Sequence, residues 1–366
     1  MVFSRFESIG AYLPQKSVST QELVSRMRFI PPFNLEAITG ITHRRVCSEN
    51  EDSFTLAIAA AQDCLNRSRY RAEDLDIIIS TSISRFKGTS ETDWDPSFAF
   101  QIAQKLGAKS AIHFDISNAC AGMLSGVYVL DRMIKAGTVK NGMIVSGEAI
   151  SKISNTAVKE IKDPSDPQFA SLTVGDSGAA VILDTSLYQE DRIDYVELTT
   201  CADYSHLCIG KPSSDGNGPA LYTNNKEMHK EERVRLWTHF QADFLEKRGS
   251  HFSAEKYDYI IQHQVGKRAI DNFCNYGAKF FSAKMPESLS CVTNLGNTAT
   301  TSHFIVLYQH LKEKRVRKGA KFLLVPAASG LVTGCLSVTI SSLKLDQEEL
   351  DQDDMHIKPS STSGVS

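Results

Sequence analysis

Long apolar runs are missing from these 366 residues. No stretch approaches the ~20 consecutive apolar side chains that cross a bilayer, so no membrane span is expected. The opening residues, Met1-Val2-Phe3-Ser4-Arg5-Phe6-Glu7-Ser8, lack the apolar core of a secretion signal. An excess of either charge is also missing: 40 Lys and Arg stand against 43 Asp and Glu, a net −3. Nucleic acid therefore has no electrostatic reason to be the main partner. The eight cysteines include no C-x-x-C pair, which argues against a zinc site and against a disulfide framework. A reducing, cytoplasmic setting is the expectation, and it suits a working thiol.

What is present reads as an ordinary globular chain, 42% apolar and 23% charged. The length suffices for two domains or one large duplicated unit. A duplication is visible. Ala72-Glu73-Asp74-Leu75-Asp76-Ile77-Ile78-Ile79-Ser80 is echoed by Ala254-Glu255-Lys256-Tyr257-Asp258-Tyr259-Ile260-Ile261-Gln262. Lys140-Asn141-Gly142-Met143-Ile144-Val145-Ser146 is echoed, at nearly the same offset, by Lys318-Gly319-Ala320-Lys321-Phe322-Leu323-Leu324-Val325. Two echoes in one order at almost one offset favour a repeat over chance.

Within each half, β-rich apolar runs alternate with helical patterns. Phe54 to Asn66, the stretch from Met123 through Val127 and Leu130 to Ile134, and His303 to Arg315 carry helical spacing. Ile77-Ile78-Ile79, Met143-Ile144-Val145 and Phe322-Leu323-Leu324-Val325 suit strands covered on both faces. The expected class is α/β, layered, with two similar halves: 1–185, 186–345, and an acidic, Ser-rich tail over 346–366 expected to be disordered. Residues 84–97 read as a polar loop and 203–227 as a Gly/Pro/Asn/Ser-rich excursion.

Cys120 stands out chemically. It lies in Ser117-Asn118-Ala119-Cys120-Ala121-Gly122-Met123, between a β-branched run (111–116) and a helical one (124–136). That order places a thiol on a strand-to-helix turn. There the helix dipole and unpaired N–H groups are expected to lower its pKa from ~8.5, and the same N–H groups can hold an oxyanion. A thiol so placed can form an acyl-enzyme. The other seven cysteines lack this setting and read as small buried hydrophobes. His263 ends a strand pattern just before a helix, and Asn297 lies in Asn294-Leu295-Gly296-Asn297-Thr298-Ala299, also read as a strand-to-helix turn. Singly, His263 reads as structural and Asn297 as a cap. Together, with the halves related by a pseudo-twofold axis, Cys120 and Asn297 are expected on comparable turns, one in each half, with His263 beside them.

Ala119-Cys120-Ala121-Gly122, Gly175-Asp176-Ser177-Gly178-Ala179-Ala180, His263-Gln264, Gly296-Asn297-Thr298 and Ser329-Gly330-Leu331-Val332-Thr333-Gly334 occur in this order. Gly10-Ala11-Tyr12-Leu13-Pro14 and Thr39-Gly40-Ile41 precede them. In these segments the chain resembles the thiolase-fold condensing enzymes, most closely the β-ketoacyl-acyl-carrier-protein synthase III family, over roughly residues 3–341. The resemblance implies a thiolase-like fold of two duplicated halves in five layers, α-β-α-β-α. It implies a Cys120–His263–Asn297 triad, in which Cys120 takes an acyl group from a thioester and the other two hold the carbonyl oxygen of a second thioester as it becomes an enolate. It implies an oxyanion hole from the N–H groups of Cys120 and Gly330, and no metal or redox cofactor. It also implies a homodimer acting on acyl-carrier-protein or coenzyme A thioesters, with Lys152 and Arg268 as carrier contacts.

Several segments depart from the housekeeping members. The usual Trp and Arg before Thr39-Gly40-Ile41 are absent from Asn34-Leu35-Glu36-Ala37-Ile38, Val265-Gly266 replaces Ala-Asn, and Lys152 replaces an Arg. These departures suit a specialised relative, such as a ketosynthase/cyclase that joins a β-ketoacyl and an acyl thioester toward a dialkylresorcinol. Housekeeping fatty-acid initiation and acyl transfer to an oxygen or nitrogen nucleophile are the alternatives. A non-catalytic partner subunit fits less well, because such partners lose the nucleophile. Cys335, the only candidate for a thiolase's second cysteine, reads as a strand residue.

Overall fold

Alternating apolar runs fold into two sheets that repeat each other strand for strand. The computed structural model describes residues 2–88, 96–228 and 230–343. Half of the 84–97 loop (residues 89–95) and the tail from Asp346 lie outside the described residues. In the first half come β1 (Phe3–Tyr12), α1 (Ser53–Leu65), β2 (Ile77–Ser80), α2 (Phe98–Leu106), β3 (Ile112–Asp115), α3 (Gly122–Lys135), β4 (Asn141–Glu148), α4 (Ser151–Glu160) and β5 (Ser177–Ser186). In the second half come β6 (Arg192–Thr200), the hairpin β7 (Cys208–Pro212) and β8 (Pro219–Thr223), α5 (Glu231–Lys247), β9 (Tyr259–Gln262), α6 (Lys267–Phe281), β10 (Glu287–Ser288), α7 (Ser302–Lys312), β11 (Ala320–Val325), β12 (Ala327–Ala328) and β13 (Val332–Ile340).

The first sheet runs β1-β5-β4-β2-β3, antiparallel across the first two pairings and parallel across the last two. The second runs β6-β13-β11-β9-β10 with the same sequence of senses, and β12 pairs β13 as an addition. Every strand of the first sheet thus has its counterpart in the second.

Burial places the layers. Met123, Leu124, Val127 and Leu130 of α3 pack with Phe304, Ile305 and Leu307 of α7 between the sheets. Ala57, Ala60 and Ala61 of α1 with Phe98 and Ile102 of α2 cover the outer face of the first sheet. Trp237 and Leu245 of α5 with Phe273 and Phe281 of α6 cover the second. The result is α-β-α-β-α, a thiolase-like fold. Each fully buried Leu, Ile or Phe in these layers contributes ~1.5–3 kcal/mol of transfer free energy. β4 is buried along its whole length, as its unbroken apolar run requires.

Local chemistry sets the edges of these elements. A capping box opens α1: Asp52 Oδ1 accepts the Thr55 N–H, and Thr55 Oγ1 accepts the Asp52 N–H, both at 2.8 Å. Gly178 on β5 lets α1 settle against the sheet, since a Cβ there would stand 2.2 Å from the Leu56 carbonyl oxygen. The 203–227 excursion is the β7–β8 hairpin and the turn before it. Cys335 lies buried within β13, a strand residue as expected.

Candidate active site

Cys120 sits at the middle of a 3-10 turn, Ala119–Ala121, between β3 and the start of α3. Ala119 adopts φ +43, the left-handed region that L-residues enter rarely, and the turn is thereby sharp. Gly122 is required next: a Cβ there would meet Thr300 Oγ1 at 2.7 Å and the Thr81 carbonyl oxygen at 2.8 Å. Ala119 and Cys120 pack against Ala328 and Val332, the two sides of the β12–β13 turn. Gly330 forms the apex of that turn at φ +118, so its segment lies beside the thiol.

The second half repeats the sharp turn. Ala299 has φ +54 and opens the 3-10 turn Ala299–Thr301 ahead of α7. The counterpart of Cys120 is therefore Thr300, the middle residue of that turn. This corrects the expectation that Asn297 matches Cys120. Asn297 aligns instead with Ser117, and it follows the short helix Val292–Leu295 rather than a strand. A backbone turn shape decides the equivalence, and residue type does not report it.

Thr300 is the hub. Its Oγ1 accepts the Met123 N–H at 2.8 Å, tying the start of α3 to the second half. Asn297 lies just before this turn. The Asn297 N–H donates to the Thr173 carbonyl at 2.9 Å, and its carbonyl accepts the Gly175 N–H at 3.0 Å. Its Oδ1 accepts the Ala299 N–H at 3.0 Å, which leaves the NH2 group to serve as a donor. His303 lies just after the turn, and its ring stacks on that of His263 at 5.9 Å between centroids. Segments far apart in the chain thus converge on the start of α7.

The charges of the site are subdued. Burial, then the charge of His303, hold the His263 imidazole down to about 3, so it is neutral at physiological pH. His263 Nδ1 is sealed and has no hydrogen-bond partner among the described residues. Any substrate contact is left to Nε2. Burial pushes the Cys120 thiol up to about 12, with Cys208 at the start of β7 and the Glu148 carboxylate adding to the rise. The expected lowering by the helix end does not prevail over these causes, although Cys120 is itself only partly buried. The raised Cys120 thiol favours its neutral form.

Glu148 escaped sequence reading because it ends a buried apolar strand. It is fully buried and accepts the N–H groups of Ile83 (2.8 Å) and Ser84 (3.0 Å) and the hydroxyls of Ser84 (2.7 Å) and Ser146 (3.1 Å). Burial raises it to about 7 against the pull of those bonds. It anchors the turn after β2, whose Thr81 carbonyl abuts Gly122.

The two expected carrier contacts sit on different helices. Lys152, at the start of α4, holds its Nζ 4.0 Å from the centre of the Phe86 ring. Arg268 is exposed in the first turn of α6. Next to it Lys267 meets Gly40, placing this end of α6 against the short helix Leu35–Thr39. No helix among the described residues is long and apolar enough to cross a membrane.

Comparison with known proteins agrees with this architecture. Residues 114–203 match the family described as 3-oxoacyl-[acyl-carrier-protein (ACP)] synthase III, and residues 248–340 match its C-terminal part. The chain belongs to the 3-oxoacyl-[acyl-carrier-protein] synthase III family. It is a thiolase-fold condensing enzyme. The β-ketoacyl-[acyl-carrier-protein] synthase III of Neisseria gonorrhoeae is 25% identical over 350 residues, covering 92% of this chain and 99% of the relative. That of Listeria monocytogenes is 27% identical over 332 residues, covering 90% and 96%. Among solved structures, Xanthomonas campestris OleA superposes with a TM-score of 0.80 at 22% identity, over 93% of this chain and 98% of that one. The synthase III of Pseudomonas aeruginosa gives 0.77 at 20% identity, over 93% and 99%.

Proposed function

We propose that the protein forms a carbon–carbon bond between two acyl thioesters by Claisen condensation through an acyl-Cys120 intermediate. In the first step the Cys120 sulfur attacks the donor carbonyl. The bond from that carbonyl to the donor sulfur breaks, and the Cys120 proton ends on the departing thiol. The N–H groups of Cys120 and Gly330 hold the oxyanion. The second thioester, carrying a β-carboxylate, then breaks its bond to that carboxylate and loses CO2, and the enolate oxygen left behind is held by His263 and Asn297. The enolate carbon attacks the carbonyl of acyl-Cys120, the carbon–sulfur bond breaks, and the Cys120 thiolate takes a proton from solvent to regain the thiol. The observation that carries this reading is the pairing of the His263 imidazole, stacked on His303 at the start of α7 and neutral, with the Asn297 carboxamide, whose oxygen is already engaged by the turn that Thr300 ties to the start of α3. Two neutral donors stabilise an enolate oxygen without protonating its carbon.

Acyl-carrier-protein or coenzyme A thioesters are the substrates in this reading. One OleA structure holds lauric acid and lauroyl-CoA, which supports long acyl thioesters here. We assign the chain to specialised metabolism: Asn34 caps a short helix over Leu35–Thr39 whose Ile38 is 43% exposed beside the Arg268 end of α6, and the segment offers neither a Trp nor an Arg. A β-ketoacyl and an acyl thioester closing to a dialkylresorcinol is the specific product to seek. Carrier contact is assigned to Lys152 and Arg268. The halves 1–185, with the thiol, and 186–345, with both donors, are the functional division. A cytoplasmic homodimer completes the proposal. It is supported by eight free cysteines and by β3, which forms the edge of its sheet with Ile112 51% exposed.

The test is intact-protein mass spectrometry with acyl thioesters, followed by product analysis. Wild type gains one acyl group and yields a condensed product. Cys120→Ala gains none. His263→Ala and Asn297→Ala still load but condense at least ~100-fold more slowly, the loss typical of removing an oxyanion donor. An ester or amide product with no new carbon–carbon bond would overturn the reading.

A further inference from the structure

His303 is the second residue of α7 and has no exposed surface. Its Nε2 lies 2.9 Å from the Val325 carbonyl oxygen, so Nε2 carries the proton and donates. The same carbonyl accepts the main-chain N–H of His263 at 3.1 Å. The two imidazoles face each other with planes 25° apart. Each ring keeps an Nδ1 that is sealed from solvent and unpartnered among the described residues. Neither sealed nitrogen has an acceptor to share a proton with, so the pair is built for two neutral rings.

We propose that His303 is a positioning residue for the condensation step: it shares the Val325 carbonyl with His263, covers one face of its ring, and keeps it a neutral N–H donor through Nε2. This rests on the enolate-holding role proposed for His263.

The surroundings leave His303 as the group that matters. Gln262 and Gln264 flank His263 in the chain, and Val325 faces it from β11; none carries charge. Among the described residues, His303 is the ionisable side chain whose ring stacks on that of His263. His310, the other histidine of α7, lies two turns further on and bonds the Val306 carbonyl instead. Without the His303 ring, water reaches the uncovered face of His263, and an imidazolium can form there. An imidazolium would protonate the enolate carbon instead of stabilising its oxygen. Position and protonation state are therefore set by one side chain that does not itself touch substrate.

The experiment uses the full-length enzyme, pre-loaded with acyl groups, and follows single-turnover condensation from pH 8 to 5.5. Wild type holds a constant rate. His303→Ala falls about tenfold across that range, the loss expected when an imidazole titrates at its ordinary value of ~6.5. His303→Phe, which restores the covering ring, stays level. His303→Asn keeps a donor for Val325 but loses the ring, and serves in place of His303→Ala if that variant does not fold, with the same acid limb expected. In parallel, NMR titration of labelled histidines follows the His263 ring itself. A rise of its midpoint into the ordinary range in the ring-deleted variant supports the proposal. A level rate together with an unmoved midpoint overturns it. Wild-type acyl-enzyme that gives no condensed product overturns the functional reading instead, and the NMR titration still decides the role of His303.

Discussion

The Thr300 hydroxyl accepts the Met123 amide at 2.8 Å, joining the start of the helix that follows Cys120 to the turn that follows Asn297. Both partners are buried, and Thr300 stands where the second half of the chain repeats the Cys120 turn. Thr300→Val keeps the shape and removes the acceptor, leaving a buried amide unpaired at a cost of ~1–3 kcal/mol. The urea midpoint should fall accordingly, and acylation of Cys120 should slow. An unchanged midpoint would show that the bond is replaceable.

Cys120 is a neutral thiol at rest because burial pushes it up to about 12. The thiolate fraction then rises about tenfold per pH unit throughout the accessible range. Single-turnover acylation, read by mass spectrometry between pH 6.5 and 9, should climb without a plateau. A plateau near pH 7 would show a thiolate already formed.

Glu148 accepts four hydrogen bonds, three of them from the turn after β2. Glu148→Gln sets an NH2 group against those donors. It should cost ~1–3 kcal/mol of stability in denaturant melts. Removing the negative charge also relieves one cause of the raised Cys120 thiol, so surviving enzyme should acylate faster at pH 7 than wild type. Unaltered stability and unaltered acylation together would remove Glu148 from the site.

The paired imidazoles make a linkage prediction. Both are depressed, His263 to about 3 and His303 to about 4, from an unfolded value of ~6.5. Between those limits the unfolded chain binds more protons than the folded one, so the stability of the fold falls as pH falls below ~6.5. Above that value neither ring affects the balance. Each histidine adds at most ~1.4 kcal/mol per pH unit to the slope. His303→Phe should lose about half of this acid dependence in melts from pH 6.5 to 4.5. An equal slope in both proteins would assign the acid sensitivity elsewhere.

Much of the layering was legible because period and composition are local properties. Ile77-Ile78-Ile79 and Met143-Ile144-Val145 read as doubly covered strands and lie buried in the first sheet. The elements carrying Cys120 and His263 were equally readable, each at a junction of strand and helix. Thr300 was not, since its equivalence to Cys120 rests on the left-handed backbone of Ala119 and Ala299. His303 sits inside a helix among apolar neighbours, where a histidine looks structural, and only the fold sets it against the ring of His263. The Cys120 thiol was misjudged for a related reason. The helix-end rule is local, whereas the burial and the Glu148 charge that outweigh it are assembled from distant segments.

The duplicated sheets have a consequence for how the molecule comes into being. Synthesis delivers the sulfur long before the imidazole and the carboxamide, and the amide of Met123 waits for a hydroxyl made 177 residues later. In the proposed mechanism a nascent first half therefore holds the thiol without its enolate-holding partners, which arrive with the second sheet.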